Sequence, residues 1–157
     1  MVVTVSDSRT PETDRGGDRL ESLALDAGHL VRIRELVPDD ADAIRESISR
    51  GVADSAIQAV LLTGGTGISP RDGTVEVIRA MIAVELEGYG ERLRAISVES
   101  IGVAGLLSRA CAGVIRRPDG SGVLVFSMPG SVNAVETATT ELVLPLIAHA
   151  AWEVGRR

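Results

Sequence analysis

Leu62 to Thr74 reads LTGGTGISPRDGT, and this stretch decides the fold class. Gly64, Gly65 and Gly67 fall within four positions. The run Ile57 to Leu62, apolar apart from Gln58, precedes them, and a helical pattern follows from Val75. Strand, glycine loop and helix start together turn backbone N–H groups toward an anion. Arg71 and Asp72 lie in the same segment. A phosphate cradle, a cation and an oxygen ligand for a metal are therefore close neighbours. A Walker-type loop needs a lysine after its last glycine, whereas Ile68 and Ser69 follow Gly67 here. TGGTG is not GxGxxG either, so dinucleotide binding is a weak alternative.

Strand and helix patterns alternate on both sides of the loop. Val2 to Val5 reads as a short buried strand, and Arg19 to Ala27 as a helix with Gly28 as its stop. His29 to Val37 alternates as a second strand that Pro38 ends. Asp39 or Asp40 can cap the next helix, which carries Ala41, Ile44 and Ile48. Ala56 to Leu62 is the third strand, and Val75 to Leu86 a helix broken by Gly88-Tyr89-Gly90. A further helix is expected around Arg92 to Ile101. Cys111 to Ile115 and Val123 to Phe126 flank the turn signal RRPDGSG and predict a hairpin. Ser131 to Trp152 predicts one helix, interrupted or kinked at Pro145. Alternation of this kind implies a three-layer α/β/α sandwich with a mainly parallel sheet and one antiparallel strand.

Composition narrows the function. The 157 residues are most simply one domain, 1–157. Only 2% are aromatic, so the core must be built mainly from Val, Ile, Leu and Ala. With 22 acidic and 16 basic residues the formal net charge is -6, which argues against nucleic acid as a partner. An anionic ligand would instead be met by locally placed arginines. All the basic residues are arginine, which excludes Schiff-base chemistry through lysine. Cys111 is the one cysteine, so no internal disulfide or thiolate metal cluster is expected. The N-terminus is too short and too soon polar for a signal peptide, and no apolar run approaches a membrane span. A cytoplasmic protein without membrane contact is expected.

Ligands of such sheets bind beyond the carboxyl ends of the strands. Four polar clusters fall there: Ser6-Asp7-Ser8-Arg9, Asp39-Asp40, the glycine loop with Thr63 and Thr66, and Ser127 to Ser131. Asp39 and Asp72 are the carboxylates that stand out. Each also suits a helix-capping role, Asp72 for a helix beginning near Thr74. Their shared location favours function, because two carboxylates beside a phosphate site can hold Mg²⁺. Arg71 could pair with a phosphate or with a surface acid. His29 and His149 lack metal-ligand spacing.

The motifs TVSDSRTPETDRGG, VPDD at Val37 to Asp40, LTGGTGISPRD, GYGERLR from Gly88, SRA from Ser108 and SMPGSVNAV from Ser127 resemble, in that order, the MogA/MoaB family. The GGTGISPRD form is closer to the MoaB branch. The family includes molybdopterin adenylyltransferases and the corresponding domains of gephyrin and its plant counterpart. The resemblance implies a homotrimer or homohexamer with ATP and molybdopterin as substrates, Mg²⁺ as cofactor, and a downstream molybdenum-insertion protein as partner. It implies adenylyl transfer to the terminal phosphate of molybdopterin with release of pyrophosphate. By matching motifs, it also implies Asp39 and Asp72 as the catalytic pair and Mg²⁺ ligands. Ser6, Asp7, Thr63, Gly64, Gly65, Thr66, Gly67, Arg71, Ser108, Arg109, Pro129, Gly130 and Ser131 are then the expected substrate-binding residues. Gly73 departs from the valine usual in the family, and the chain begins almost at its first strand, without the extension many relatives carry. Two other readings stay open: a molybdopterin-binding or scaffold protein without adenylyl transfer, and a nucleotide-processing enzyme of the CinA type.

Overall fold

The computed structural model describes residues 1–156. Strands β1 (Val2–Val5), β2 (Arg34–Val37), β3 (Ala59–Thr63), β4 (Val84–Glu85), β5 (Ala112–Arg116) and β6 (Gly122–Met128) form one sheet in the order β2-β1-β3-β6-β5-β4. β2, β1, β3 and β6 are parallel; β5 runs against both its neighbours. The helices are α1 (Arg15–Asp26), α2 (Ala41–Ala53), α3 (Thr74–Met81), α4 (Glu87–Ile101), α5 (Val132–Ala138) and α6 (Leu144–Gly155). The expected sandwich with one reversed strand is what the chain forms.

The two-residue period of the strands divides the core. Val3, Val5, Val60, Leu62, Val123 and Val125 face α2 and α3, where Ile44, Ile48 and Ile78 meet them. Val2, Leu61, Leu124 and Phe126 face the other way, toward Leu20 of α1, Leu93 of α4, Val135 of α5 and Ile147 of α6. Central strands covered on both faces need apolar residues at successive positions, which is why β1, β3 and β6 read as nearly unbroken hydrophobic runs.

Several boundaries differ from the sequence expectation. β2 is confined to Arg34–Val37; the alternation from His29 onward does not extend the ladder. α3 stops at Met81, and Val84–Glu85 pairs with β5 as an edge strand that the helical pattern had hidden. Gly88-Tyr89-Gly90 does not break the chain but lies in the first turn of α4. Packing overrides local propensity there. Tyr89 is buried, its hydroxyl donates to the Ser127 carbonyl at 2.9 Å, and its ring meets Phe126 edge-on at 5.4 Å. The last helix is divided by a π-helical turn at Thr139–Val143, after which Pro145 sits in the opening turn of α6. The wider turn falls where proline supplies no N–H to the ladder. Among the described residues no helix is long and apolar enough to cross a membrane.

Candidate functional site

The turns leaving β1, β2, β3 and β6 meet at one end of the sheet, and the glycine loop is the centre of that meeting. Gly64 adopts φ +104°, and its N–H continues the ladder by donating to the Met128 carbonyl at 3.0 Å. A side chain here would collide with the Val5 carbonyl oxygen, so the exits of β1 and β3 can approach only at a glycine. The N–H of Gly64 is thus used within the sheet. The N–H groups of Gly65, Thr66 and Gly67 have no protein acceptor among the described residues.

Asp39 enters this space from the end of β2. Its backbone N–H donates to Asp7 Oδ1 at 3.0 Å, which ties the β2 exit to the β1 exit. The cap of α2 is Asp40, accepting from the N–H groups of Asp42 and Ala43. Asp39 is thereby released from the capping role that its position suggested. Its Oδ1 is buried and without a hydrogen-bond partner, and the same holds for Oγ1 of the fully buried Thr74. Both atoms face the missing side chain of Gly65. A Cβ there would stand 3.0 Å from Asp39 Oδ1 and would collide with Thr74 Oγ1. Orphaned buried oxygens are rare and cost on the order of 1–3 kcal/mol each, so two beside one glycine single out this point of the structure.

Asp72 does not cap a helix either. Gly73 precedes α3 and no side chain caps it. Asp72 instead closes the turn before it: Oδ2 accepts from the Ser69 N–H at 2.8 Å, and its own N–H donates to the Ser69 carbonyl at 2.9 Å. Burial, with Asp7 and Asp72 as negative neighbours, raises the Asp39 carboxyl above the ordinary carboxylate value, and Arg71 partly offsets this. Arg71 is largely exposed, 3.9 Å from Asp7 Oδ2, a cation at the rim.

The remaining expected binding residues divide by what their side chains already do. Ser6 Oγ accepts from the N–H groups of Ser8 and Arg9, Thr63 Oγ1 donates to the Pro129 carbonyl, and Ser131 Oγ caps α5 through Ala134. These three hydroxyls shape the turns. Pro129 and Gly130 follow β6 and stand beside the glycine loop, where a Cβ on Gly130 would lie 3.4 Å from Gly64 Cα. Ser108 and Arg109 lead into β5, and Arg109 bonds to the loop itself: Nε to the Gly67 carbonyl at 2.6 Å, a terminal nitrogen to the Asp72 carbonyl at 2.7 Å, and an ion pair with Glu76. Thr74 is the residue sequence reasoning missed. Its place two residues after Asp72 was visible, but nothing in the sequence marks its hydroxyl as unpartnered.

The donor set suits a hard divalent cation. No three His, Cys, Asp or Glu side chains among the described residues form a metal cage by themselves. Mg²⁺ is usually held by one or two carboxylates completed by substrate phosphates and water. Asp39 and Asp72, near enough for the charge of Asp72 to raise the Asp39 pKa, are the carboxylates that would serve in that mode.

These features define a class: three-layer α/β proteins with a mixed sheet whose glycine loop and paired aspartates share the carboxyl ends of the parallel strands. The chain belongs to the molybdenum cofactor biosynthesis family described as "Probable molybdopterin binding domain", which matches residues 1–149. It is 45% identical over 156 residues to Molybdenum cofactor biosynthesis protein B of Bacillus subtilis, covering 99% of this chain and 89% of that relative. A crystal structure of a Molybdenum cofactor biosynthesis protein B superposes with a TM-score of 0.92 at 43% identity, covering 99% of this chain and 94% of the other. The tungsten cofactor synthesizing protein MoaB from Pyrococcus furiosus gives 0.81 at 36% identity, covering 99% and 95%.

Proposed function

We propose that this chain acts in molybdenum cofactor biosynthesis as a molybdopterin adenylyltransferase. The observation that carries the reading is the pair of orphaned oxygens, Asp39 Oδ1 and Thr74 Oγ1, converging at Gly65 beside Asp72. In this reading the terminal phosphate of molybdopterin attacks the α-phosphorus of ATP in line. A P–O bond forms to the pterin phosphate as the bond to pyrophosphate breaks. The N–H groups of Gly65, Thr66 and Gly67 hold phosphate oxygens, and Arg71 meets the polyphosphate at the rim. Asp39 and Asp72 are the residues that would hold Mg²⁺, which in such sites neutralises charge developing on the leaving phosphates. Phosphoryl chemistry asks little covalent work of a protein, so fixing these groups supplies most of the acceleration.

A cytoplasmic homo-oligomer, trimer or hexamer, belongs to the same proposal. Val103, Leu106 and Leu107, exposed by 79%, 61% and 52%, support self-association, and light scattering reads its order. The activity is tested by pyrophosphate release with purified molybdopterin, ATP and Mg²⁺. Turnover is expected, and Asp72→Asn should lower it by about 100-fold or more while leaving the circular dichroism spectrum unchanged. Tight pterin binding without pyrophosphate release would leave a binding or scaffold protein instead.

A further inference from the structure

Arg109 lies 37 residues beyond Asp72 in sequence and reaches the glycine loop from the segment that leads into β5. Four contacts join it to the loop and the helix that follows. Its backbone N–H donates to the Thr66 carbonyl at 2.9 Å, Nε to the Gly67 carbonyl at 2.6 Å, and one terminal nitrogen to the Asp72 carbonyl at 2.7 Å. The other terminal nitrogen pairs with Glu76 on α3. The guanidinium therefore bridges both ends of the 67–72 turn, whose interior is closed only by the reciprocal pair of bonds between Ser69 and Asp72. Lysine, a compact point charge, cannot reproduce a planar fork across two carbonyls. Each nitrogen of the guanidinium donates to a protein oxygen, which engages three of its five N–H groups on the loop and on α3.

We propose that Arg109 is a positioning residue: it holds the 67–72 turn shut from behind and so aims the Asp72 carboxylate and the Gly67 N–H at the ligand, without touching the ligand. The inference rests on the functional reading above for its kinetic arm and on the loop geometry alone for its structural arm. Misplacement of a catalytic group by about 1 Å can cost on the order of 100-fold in rate. A latch should therefore act on turnover more than on substrate capture.

The test uses the full chain with Arg109→Ala and Arg109→Lys. Hydrogen–deuterium exchange is followed over residues 66–73, and pyrophosphate release is measured with ATP, Mg²⁺ and molybdopterin. Both variants should exchange faster across 66–73 while the β3 and β6 amides stay protected. In Arg109→Ala, kcat should fall about 10- to 100-fold with KM for ATP changed less than about 3-fold, and added guanidinium ion should restore part of kcat. Arg109→Lys should not rescue. Unchanged exchange across 66–73 in folded Arg109→Lys overturns the proposal. A raised KM for ATP with kcat preserved overturns it too, since that is the signature of a ligand contact. If the wild-type protein releases no pyrophosphate, the adenylyltransferase reading fails and the exchange arm alone decides the latch.

Discussion

Asp39 sits in a position that is unfavourable for its own charge, and that is informative. Burial, then Asp7 and Asp72, raise its pKa above the ordinary carboxylate value. A carboxyl whose pKa is higher folded than unfolded binds protons preferentially in the native state. Its contribution to stability is therefore largest at acid pH and declines as pH rises from the ordinary carboxylate range through the raised value. At neutral pH the ionised side chain opposes folding. Asp39→Asn should raise the thermal midpoint at pH 7 and flatten its fall between acid and neutral pH, while activity drops by about 100-fold or more. Calorimetry across that range, with and without Mg²⁺, reads the effect. A lowered midpoint at pH 7 would show that the carboxylate is held by something other than the ligand gap. A raised midpoint together with lost activity would put Asp39 among residues whose function and stability pull in opposite directions.

At the scale of elements, the start of α1 depends on one buried acid. Asp14 Oδ1 accepts the Gly17 N–H at 3.0 Å as a helix cap, while Oδ2 accepts from Thr4 of β1 at 2.7 Å and from Arg34 of β2 at 2.6 Å. Arg34 also contacts Asp18 and Glu21, so it keeps partners when Asp14 is removed. Asp14→Ala should cost about 2–3 kcal/mol in urea unfolding, from the lost cap and the lost charge-assisted bonds. Asn should recover part of it. This network was invisible in the sequence, where Arg34 read only as one position of an alternating strand. What was legible rested on strong local chemistry: the apolar runs of β1 and β3, the turn signal between β5 and β6, the glycine loop and its two aspartates. What was not legible depended on contacts made across the fold. β4 is two exposed residues that continue a helical pattern, and the first turn of α4 contains two glycines that outside the fold would favour a break. The choice between Asp39 and Asp40 as the cap of α2 was likewise settled only in the fold. Either could cap α2 by sequence, and only the bond from Asp39 N–H to Asp7 separates them.

For the molecule as a whole, one sheet separates two cores, and Phe126 is the largest side chain wholly buried in either. It stands on β6, hydrogen-bonded between β3 and β5, and packs edge-on against Tyr89. Phe126→Ala should destabilise by about 3–5 kcal/mol, with a midpoint shift in urea and an unchanged slope. Because β6 also carries the Ser127 to Ser131 turn into the site, ligand binding should be lost at the same denaturant concentration as helical signal. Separate transitions would mean that the layers fold independently.

The reversal of β5 ties remote geometry to the working end. Since β5 alone runs against its neighbours, the chain enters it at the pole where β3 and β6 leave, and Arg109 arrives there just before the strand begins. How far along it arrives is measured out from the opposite pole, by the bend at Arg117 to Ser121, where Arg117 N–H meets the Ser121 carbonyl. That bend works as a ruler. Its length fixes which residue of β5 lies opposite which residue of β6, and a slip of one residue would turn each side chain to the other face of the sheet. The length of a surface bend at the opposite pole is therefore what sets the position from which Arg109 reaches the glycine loop.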